Sequence, residues 1–267
     1  MPLAPPSIGR CVRRQSLDSR LNEGMSMLRE LWRTAGDLLF PPVCVHCAGL
    51  VEGGRLRHVC AKCAPLLILV QPPCCQICGH PFFGEVHGGR CCIHCEELDP
   101  VFREGRSCIL LKGPGRALVH ALKYHRGLQV LEDMAVLVRA APGMADFLRG
   151  AVLVPVPLHP RKERERGYNQ SRLLAEIFAA AGGAGTRVEE PIRRVMDTAT
   201  QTALDRRTRQ ANLKNAFALR DGAGINAAER YVLIDDVFTT GSTLNACAIV
   251  LRRAGGVSVD VVTFGHG

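Results

Sequence analysis

Two adjacent acidic residues followed by a run of hydroxyl side chains form the part of this sequence best suited to chemistry. Asp235 and Asp236 come directly after the apolar residues 232–234, which predict a buried parallel strand. Residues 239–243 are glycine or carry hydroxyl groups, and a helical stretch at 244–254 follows them. Carboxylates accept hydrogen bonds from a sugar diol, whereas loop N–H groups and a helix N-terminus hold phosphate. The order therefore predicts a sugar-phosphate site at the carboxyl end of a strand.

A second polar segment follows the predicted strand 151–155. Prolines at 155 and 157 prevent further strand pairing, so we expect a loop that leaves the carboxyl edge of the sheet. This predicted loop carries four basic side chains: Arg161, Lys162, Arg164 and Arg166. Guanidinium groups suit pyrophosphate, because they present several donors in a fixed plane. A solvated basic loop or a nucleic-acid contact is the alternative, and Glu163 and Glu165 weaken the second of these.

The segment 232–243 resembles the phosphoribosyl pyrophosphate (PRPP) signature of type I phosphoribosyltransferases. The resemblance implies that Asp235 and Asp236 bind the ribose hydroxyls, and Asp236 is our candidate for carboxylate charge near the reacting ribose carbon. It also implies a loop around the 5′-phosphate, made of Thr239, Thr240, Gly241, Ser242 and Thr243. Arg166 and Lys123 are the candidate pyrophosphate ligands.

Cysteines dominate the region between residues 44 and 95, where four Cys-x2-Cys pairs occur. This spacing is typical of thiolate zinc sites. The candidate ligands are Cys44, Cys47, Cys60 and Cys63 for one ion, and Cys75, Cys78, Cys92 and Cys95 for the other. Interleaved pairing is the alternative. A disulfide framework would need an oxidising compartment, to which nothing in the sequence points, and an iron–sulfur cluster is the third possibility. We predict two structural zinc ions.

The remaining pattern predicts four regions along the chain. Residues 1–24 are expected to be a disordered tail, 25–42 an amphipathic helix, 43–99 a double zinc ribbon and 100–267 an α/β domain. Strands alternate with helices in the last region, which indicates a mainly parallel sheet. The polar stretch 193–217 is predicted to be a mobile hood over the site. No apolar run approaches the roughly 20 residues of a membrane span, and we expect a cytoplasmic protein.

These motifs together resemble the ComF/GntX family. The resemblance rests on Pro155-Val-Pro157, on the run from Arg166 to Gln170, on Thr200-Gln201 and on the acidic–threonine segment. It implies a type I phosphoribosyltransferase-like parallel sheet with flanking helices, preceded by a small double zinc ribbon. The implied ligand is PRPP with magnesium, and the implied role is transfer or sensing of phosphoribosyl groups, with a link to competence and DNA uptake.

A second function class remains open at this point. The chain carries a net charge of +9, which favours anionic partners without choosing between phosphates and nucleic acid. The alternative is therefore a protein that handles single-stranded DNA with DNA-uptake proteins and keeps a non-catalytic PRPP pocket. Aromatic residues are only 5% of the chain, so platforms for base stacking are sparse, which argues against a dedicated single-strand binder.

Overall fold

The structure is a computed structural model, and it describes residues 41–82, 92, 95, 98–124, 126–196 and 215–267. The predicted tail 1–24 and nearly all of the predicted helix 25–42 lie outside the described residues. The chain divides into Met1–Pro42 and Val43–Gly267. The Cys-rich segment and the α/β segment therefore belong to one compact unit, and the predicted boundary between them at residue 99 stays a prediction.

A five-stranded parallel sheet lies at the centre of this unit, in the order β1-β7-β6-β2-β3. Its strands are β1 (Gly105–Leu110), β2 (Val152–Pro155), β3 (Arg187–Val188), β6 (Arg230–Phe238) and β7 (Ser258–His266). All four neighbouring pairs are parallel. Two short strands, β4 (Ile192–Arg194) and β5 (Phe217–Leu219), form a separate antiparallel pair. The predicted fold class, a parallel α/β sheet after a Cys-rich module, is confirmed.

Helices connect the strands, as the alternating pattern predicts. They are α1 (Gly113–Tyr124), α2 (Leu131–Ala140), α3 (Met144–Leu148), α4 (Pro160–Arg166), α5 (Gln170–Gly182) and α6 (Ser242–Arg253). Short 3-10 turns occur at Ala64–Leu66 and Leu128–Val130. In the described part of the chain, no helix is both long and apolar enough to cross a membrane.

The two faces of the sheet bury different apolar clusters. On β6, Val232 and Ile234 join the cluster formed with α1, α2 and α5, whereas Tyr231 and Leu233 join the cluster formed with α6. Each of these four side chains is at most 1% exposed. Burial on both faces explains why the strand reads as a continuous apolar run without polar alternation.

The sixth strand is longer than the sequence predicts. The pattern predicts a strand over residues 232–234 with the acids after it, but β6 continues to Phe238. The extension pairs with β7, with Asp235 opposite Thr263 and Phe238 opposite His266. On the other side, β2 pairs only as far as Ile234. The two acids therefore lie within a strand that has lost one neighbour, which opens space beside them.

The predicted basic loop contains a helix. Helix α4 spans Pro160–Arg166 and begins with proline, whose fixed φ suits a first helical position. The Nδ1 atom of His159 accepts a hydrogen bond from the Arg161 amide at 3.3 Å. Gly167, with φ at +89°, ends the helix. The sequence carries no sign of this helix, because a seven-residue helix with no buried residue has no apolar periodicity.

The predicted hood at 193–217 is described only at its ends. Its first residues belong to β4 and its last residue begins β5, and these strands pair with Arg194 opposite Phe217. Residues 197–214 lie outside the described residues, so the predicted motion of the hood stays a prediction.

A buried carboxylate joins the Cys-rich module to the α/β domain. Asp133 on α2 is 1% exposed, and its two oxygens accept hydrogen bonds from the amides of Arg57 and His58, both at 2.7 Å. These amides precede Cys60 in the first group of cysteines. The contact holds the module in place because a buried amide without an acceptor loses the hydrogen bond it had in water.

We expect Asp133→Ala to lower the unfolding free energy by about 3 kcal/mol, since it leaves two amides without their acceptor. Urea denaturation followed by circular dichroism measures the change. The control is Asp146→Ala on α3, which removes an exposed ion pair with Arg149 and should cost under about 0.5 kcal/mol. Equal stability of the two variants would contradict the prediction.

Candidate functional site

Asp235 and Asp236 hold their positions through three short contacts. The Oδ1 atom of Asp235 accepts hydrogen bonds from the Ser171 hydroxyl at 2.9 Å and from the Asp236 amide at 2.8 Å. The Oδ1 atom of Asp236 lies 2.9 Å from the Lys123 ammonium group. The C-terminal end of α1 and the N-terminal end of α5 therefore meet at the acids of β6.

One oxygen of this group is left without a donor. Asp236 is 3% exposed, and its Oδ2 atom is buried and accepts no hydrogen bond from the residues that the structure describes. Buried carboxylate oxygens are normally hydrogen-bonded, so an exception calls for an explanation, such as a functional role. The arrangement can accept a donor such as a ligand hydroxyl.

Burial and like charge both act on Asp235. Burial in the site, followed by the nearby charge of Asp236, raises the pKa of Asp235 from 3.8 to about 7, although Lys123 opposes the shift. Near neutral pH, this carboxyl group therefore exchanges readily between its protonated and ionised forms. A ligand that donates hydrogen bonds to it would favour the ionised form.

The predicted phosphate loop follows β6 directly. Gly241 has φ at +71° and precedes the first turn of α6. A side chain would be strained there, because left-handed backbone is costly for other residues. The Thr240 and Ser242 hydroxyls lie 3.0 Å apart. Thr239 and Thr243 flank them, so the five residues form one turn at the helix N-terminus, where backbone N–H groups favour an anion.

A basic cleft of about 420 Å³ lies beside the acids, between the end of α1 and helix α4. Its lining residues are Lys123, Tyr124, Arg126, Lys162, Glu165 and Arg166. Both candidate pyrophosphate ligands, Lys123 and Arg166, are among them. Lys123 also contacts Asp236, so the cleft and the acids share one side chain. The Arg166 guanidinium lies 5.9 Å from the Tyr124 ring centre, on its face.

The motif from Arg166 to Ser171 joins these parts. Arg166 hydrogen-bonds the Gln170 side chain, and the Tyr168 hydroxyl donates to the carbonyl of Leu122. Asn169 is buried, donates to the Val156 carbonyl at 3.1 Å and caps α5 by accepting from the Ser171 amide at 3.0 Å. The motif thereby fixes α4, α5 and the end of α1 around the acids.

Ser171 is the site residue that the sequence analysis missed. Its hydroxyl bonds Asp235 at 2.9 Å, yet a serine in a first helical turn has many structural explanations. Its place directly after the motif was the available signal. The structure brings together Asp235, Asp236, Lys123 and Arg166, and places Thr239 to Thr243 at the end of the same strand. Their roles toward a ligand remain predictions.

The eight candidate zinc ligands fall into the two sequential groups. The first contains Cys44, Cys47, Cys60 and Cys63, the second contains Cys75, Cys78, Cys92 and Cys95, and the sulfur atoms within each group lie within 4.8 Å of one another. The interleaved pairing is therefore wrong. Individual contacts of 3.6 Å in the first group and 3.4 and 3.9 Å in the second match a tetrahedron with metal–sulfur bonds of about 2.3 Å, whose edges are about 3.8 Å.

The chemistry of the thiols also fits a metal. A hydrogen bond from Cys78, together with backbone N–H groups, lowers the pKa of Cys75 to about 4 despite its burial. The direction of this shift favours the thiolate form that metal binding requires, whereas the hydrogen bond with Cys75 and burial raise the pKa of Cys78. The Cys74 thiol instead donates to the Gln71 carbonyl at 3.0 Å and belongs to neither group. The two sites are consistent with two structural zinc ions.

The sequence is similar to those of several known proteins. A family model described as "Double zinc ribbon domain" matches residues 35–108. The chain is 35% identical over 208 residues to "DNA utilization protein YhgH" of Salmonella typhi, which covers 76% of this chain and 86% of that protein. It is 29% identical to "Competence protein F" of Haemophilus influenzae, over 82% of this chain and 94% of that protein. The chain belongs to the ComF/GntX family, as its motifs predicted.

Two further similarities are more distant. "Competence protein ComFC" of Bacillus subtilis is 25% identical, over 74% of this chain and 80% of that protein. Among solved structures, a hypoxanthine phosphoribosyltransferase from Staphylococcus aureus aligns with 50% of this chain and 61% of its own, at 15% identity and a TM-score of 0.31. A structural likeness of that size carries no argument about activity.

The raised pKa of Asp235 predicts a pH-dependent stability. Between pH 3.8 and about 7, the folded chain holds a proton that the unfolded chain has lost, so stability falls as the pH rises through this window. Asn cannot titrate. The unfolding free energy of Asp235→Asn minus that of the wild type should therefore increase up to about pH 7 and then level off. Denaturation of both proteins at several pH values measures it, and a constant difference would contradict it.

Replacing Cys60 and Cys63 by Ser should halve the zinc content, from two ions per chain to one. The variant should also unfold at lower urea concentration, because metal binding supplies folding energy to such modules. Elemental analysis of the purified protein measures the stoichiometry. Cys74→Ser is the control and should keep both ions, since its thiol lies outside both groups. A double variant that retained two ions would refute the ligand assignment.

Proposed function

We propose that the α/β domain binds PRPP with magnesium and transfers or senses its phosphoribosyl group. Asp235 and Asp236 bind the ribose hydroxyls, and Thr239, Thr240, Gly241, Ser242 and Thr243 surround the 5′-phosphate. The pyrophosphate lies in the basic cleft against Lys123 and Arg166. Family membership and the order of these parts along the chain support this assignment.

The buried Oδ2 atom of Asp236 carries the proposal. It accepts no hydrogen bond from the described residues and lies two residues before the end of β6, after which the predicted phosphate loop begins. A ribose 5-phosphate has the matching pattern, with hydroxyl donors on the ring and an anion at C5. Ribose hydroxyls would satisfy both carboxylates while the phosphate meets the first turn of α6.

The arrangement suits transfer as well as binding. In a transfer, a nucleophilic acceptor would form a bond to the reacting ribose carbon as the bond to pyrophosphate breaks. Positive charge grows on the ring between these events, and the carboxylate of Asp236 is our candidate to offset it. Lys123 and Arg166 offset the negative charge that collects on the departing pyrophosphate. Magnesium bound with the ligand would supply further positive charge there. Lys123 pairs with Asp236, and pyrophosphate in the cleft would draw it away from the carboxylate.

A role in handling single-stranded DNA is the second candidate, and the names of the relatives favour it, since they refer to competence and DNA utilization. The cleft offers one observation in its support. Tyr124 is 66% exposed beside the cations Arg126, Lys162 and Arg166. An exposed ring among basic side chains is a stacking position for a base next to a phosphate. In that role the chain would act together with proteins of DNA uptake.

Calorimetric titration of PRPP with magnesium tests the first candidate. We expect saturable binding to the zinc-loaded protein, and a loss of at least about 100-fold in affinity for the double variant Asp235→Asn, Asp236→Asn, because each charged hydrogen bond contributes about 1.5–3 kcal/mol. The double variant should stay folded, since it removes a buried like-charge pair.

Asp146→Asn is the matched control, because it changes an exposed carboxyl group on α3. It should bind PRPP as tightly as the wild type does. Equal affinity in the double variant would move the ligand away from β6. Absence of saturable binding by the wild type at millimolar PRPP would refute the proposed function.

The salt dependence of DNA binding tests the second candidate. If several phosphates contact the cleft, affinity for a single-stranded oligonucleotide should fall steeply with salt. Lys162→Ala should reduce the slope, whereas Lys112→Ala, outside the cleft, should not. An unchanged slope for Lys162→Ala would exclude the cleft as the DNA site.

A further inference from the structure

The second four-cysteine site lies against the predicted phosphate loop. Leu98, three residues after Cys95, donates its amide to the Cys95 carbonyl at 3.2 Å and is 6% exposed. A methyl group placed on Gly241 would come within 2.6 Å of Leu98 Cδ2 and within 2.6 Å of Phe238 Cζ. The backbone of the loop therefore rests directly on Leu98, with no space between them.

A side chain of α6 strengthens this contact. The Asn245 carboxamide accepts a hydrogen bond from the Val101 amide at 2.9 Å and lies 3.4 and 3.3 Å from the carbonyls of Leu98 and Asp99, to which it donates. Asn245 also donates its own amide to the Gly241 carbonyl at 2.8 Å. Asn245 thus links residues 98–101, which follow the second site, to Gly241, which precedes α6.

A second series of contacts begins at the other Cys-x2-Cys pair of the same site, Cys75 and Cys78. The His80 amide lies 3.4 Å from the Cys78 sulfur, and the His80 ring contacts the His266 ring at 4.9 Å between centres. His266 stacks on Phe238 at 5.1 Å. Phe238 is the last residue of β6, directly before Thr239. Both halves of the second site therefore reach the predicted phosphate loop within two or three side chains.

The first site has a different environment. Its buried cysteines Cys44, Cys60 and Cys63 join the apolar cluster on the face of α1, α2 and α5, whereas all four cysteines of the second site join the cluster that contains Phe238 and α6. Leu66 stands three residues after Cys63, as Leu98 stands after Cys95, but is 53% exposed. The two sites are alike in sequence and unlike in what they support.

We propose that the second four-cysteine site positions the phosphate loop through Leu98 and Asn245, so that its metal controls affinity for a 5′-phosphorylated ribose ligand. The first site supports the fold without this control. The identity of the ligand in this inference rests on the proposed function. The mechanical coupling between the second site and the loop does not depend on that function. Coupling of this kind is reciprocal: a ligand on the loop retains the metal of the second site.

Hydrogen exchange of the ligand-free protein tests the coupling by itself. In Leu98→Ala, amides in residues 239–245 should exchange at least about tenfold faster, because the loop loses the surface on which it rests. The zinc ligands are intact in this variant, so it should keep both ions. Leu66→Ala is the matched control and should leave exchange in 239–245 unchanged. Unchanged exchange in Leu98→Ala, or an equal increase in both variants, would overturn the coupling.

Zinc release tests the reciprocal effect. In the variant Cys44→Ser, Cys47→Ser, only the second site holds zinc, and release to a chromophoric chelator reports on that site alone. PRPP with magnesium should slow this release several-fold. In Cys92→Ser, Cys95→Ser, which reports on the first site, PRPP should leave the release rate unchanged even at a concentration that calorimetry shows to saturate this variant. Equal slowing at both sites, or none at the second site in a protein shown by calorimetry to bind PRPP, would overturn control by the second site.

The exchange experiment and the experiments with PRPP distinguish failure of the coupling from failure of the proposed function. If the wild type does not bind PRPP at all, the proposed function fails, and the exchange comparison of Leu98→Ala with Leu66→Ala still decides the coupling. If PRPP binds and Leu98→Ala weakens it about tenfold at a temperature where the variant is fully folded, a merely structural role for Leu98 is excluded.

Discussion

Two neighbouring carboxylates on one buried strand repel each other, and the helix ends around them supply the partners that offset this repulsion. Burial and the charge of Asp236 raise the pKa of Asp235 to about 7, so the pair is costly to ionise without partners. Lys123 from α1 and Ser171 from α5 provide two of them. The motif from Arg166 to Ser171 in turn holds these helix ends in place. The position of the acids thus dictates which helices must meet at the edge of β6.

The two cysteine groups take part in this architecture in different ways. The first group is tied to α2 by Asp133 and buries three of its cysteines, Cys44, Cys60 and Cys63, on one face of the sheet. The second group buries its sulfurs on the other face, against the end of β6 and the start of α6. The Cys-rich module therefore packs against residues that lie far along the chain from it, at the end of β6 and in α6.

Several elements followed from local sequence alone. The buried strands are continuous apolar runs, the Cys-x2-Cys pairs announce metal sites, and the acidic–threonine segment marks a turn before a helix. The limits of these elements were less accessible. Strand β6 extends to Phe238 because β7 continues beside it, and α4 forms where alternating charges predicted a loop. The pair β4–β5 was missed, because strands of three residues carry no detectable period.

The sequence by itself determined the types of chemical group and their order: two acids, a hydroxyl-rich turn, a basic motif and four thiol pairs. Only the tertiary structure decided which of them meet. The pairing of cysteines, the contact of Lys123 with Asp236 and the support of Gly241 by Leu98 join residues 13 to 143 positions apart. Such distances in sequence carry no local signal. Packing of helices on a parallel sheet sets them, and that packing depends on the whole chain at once.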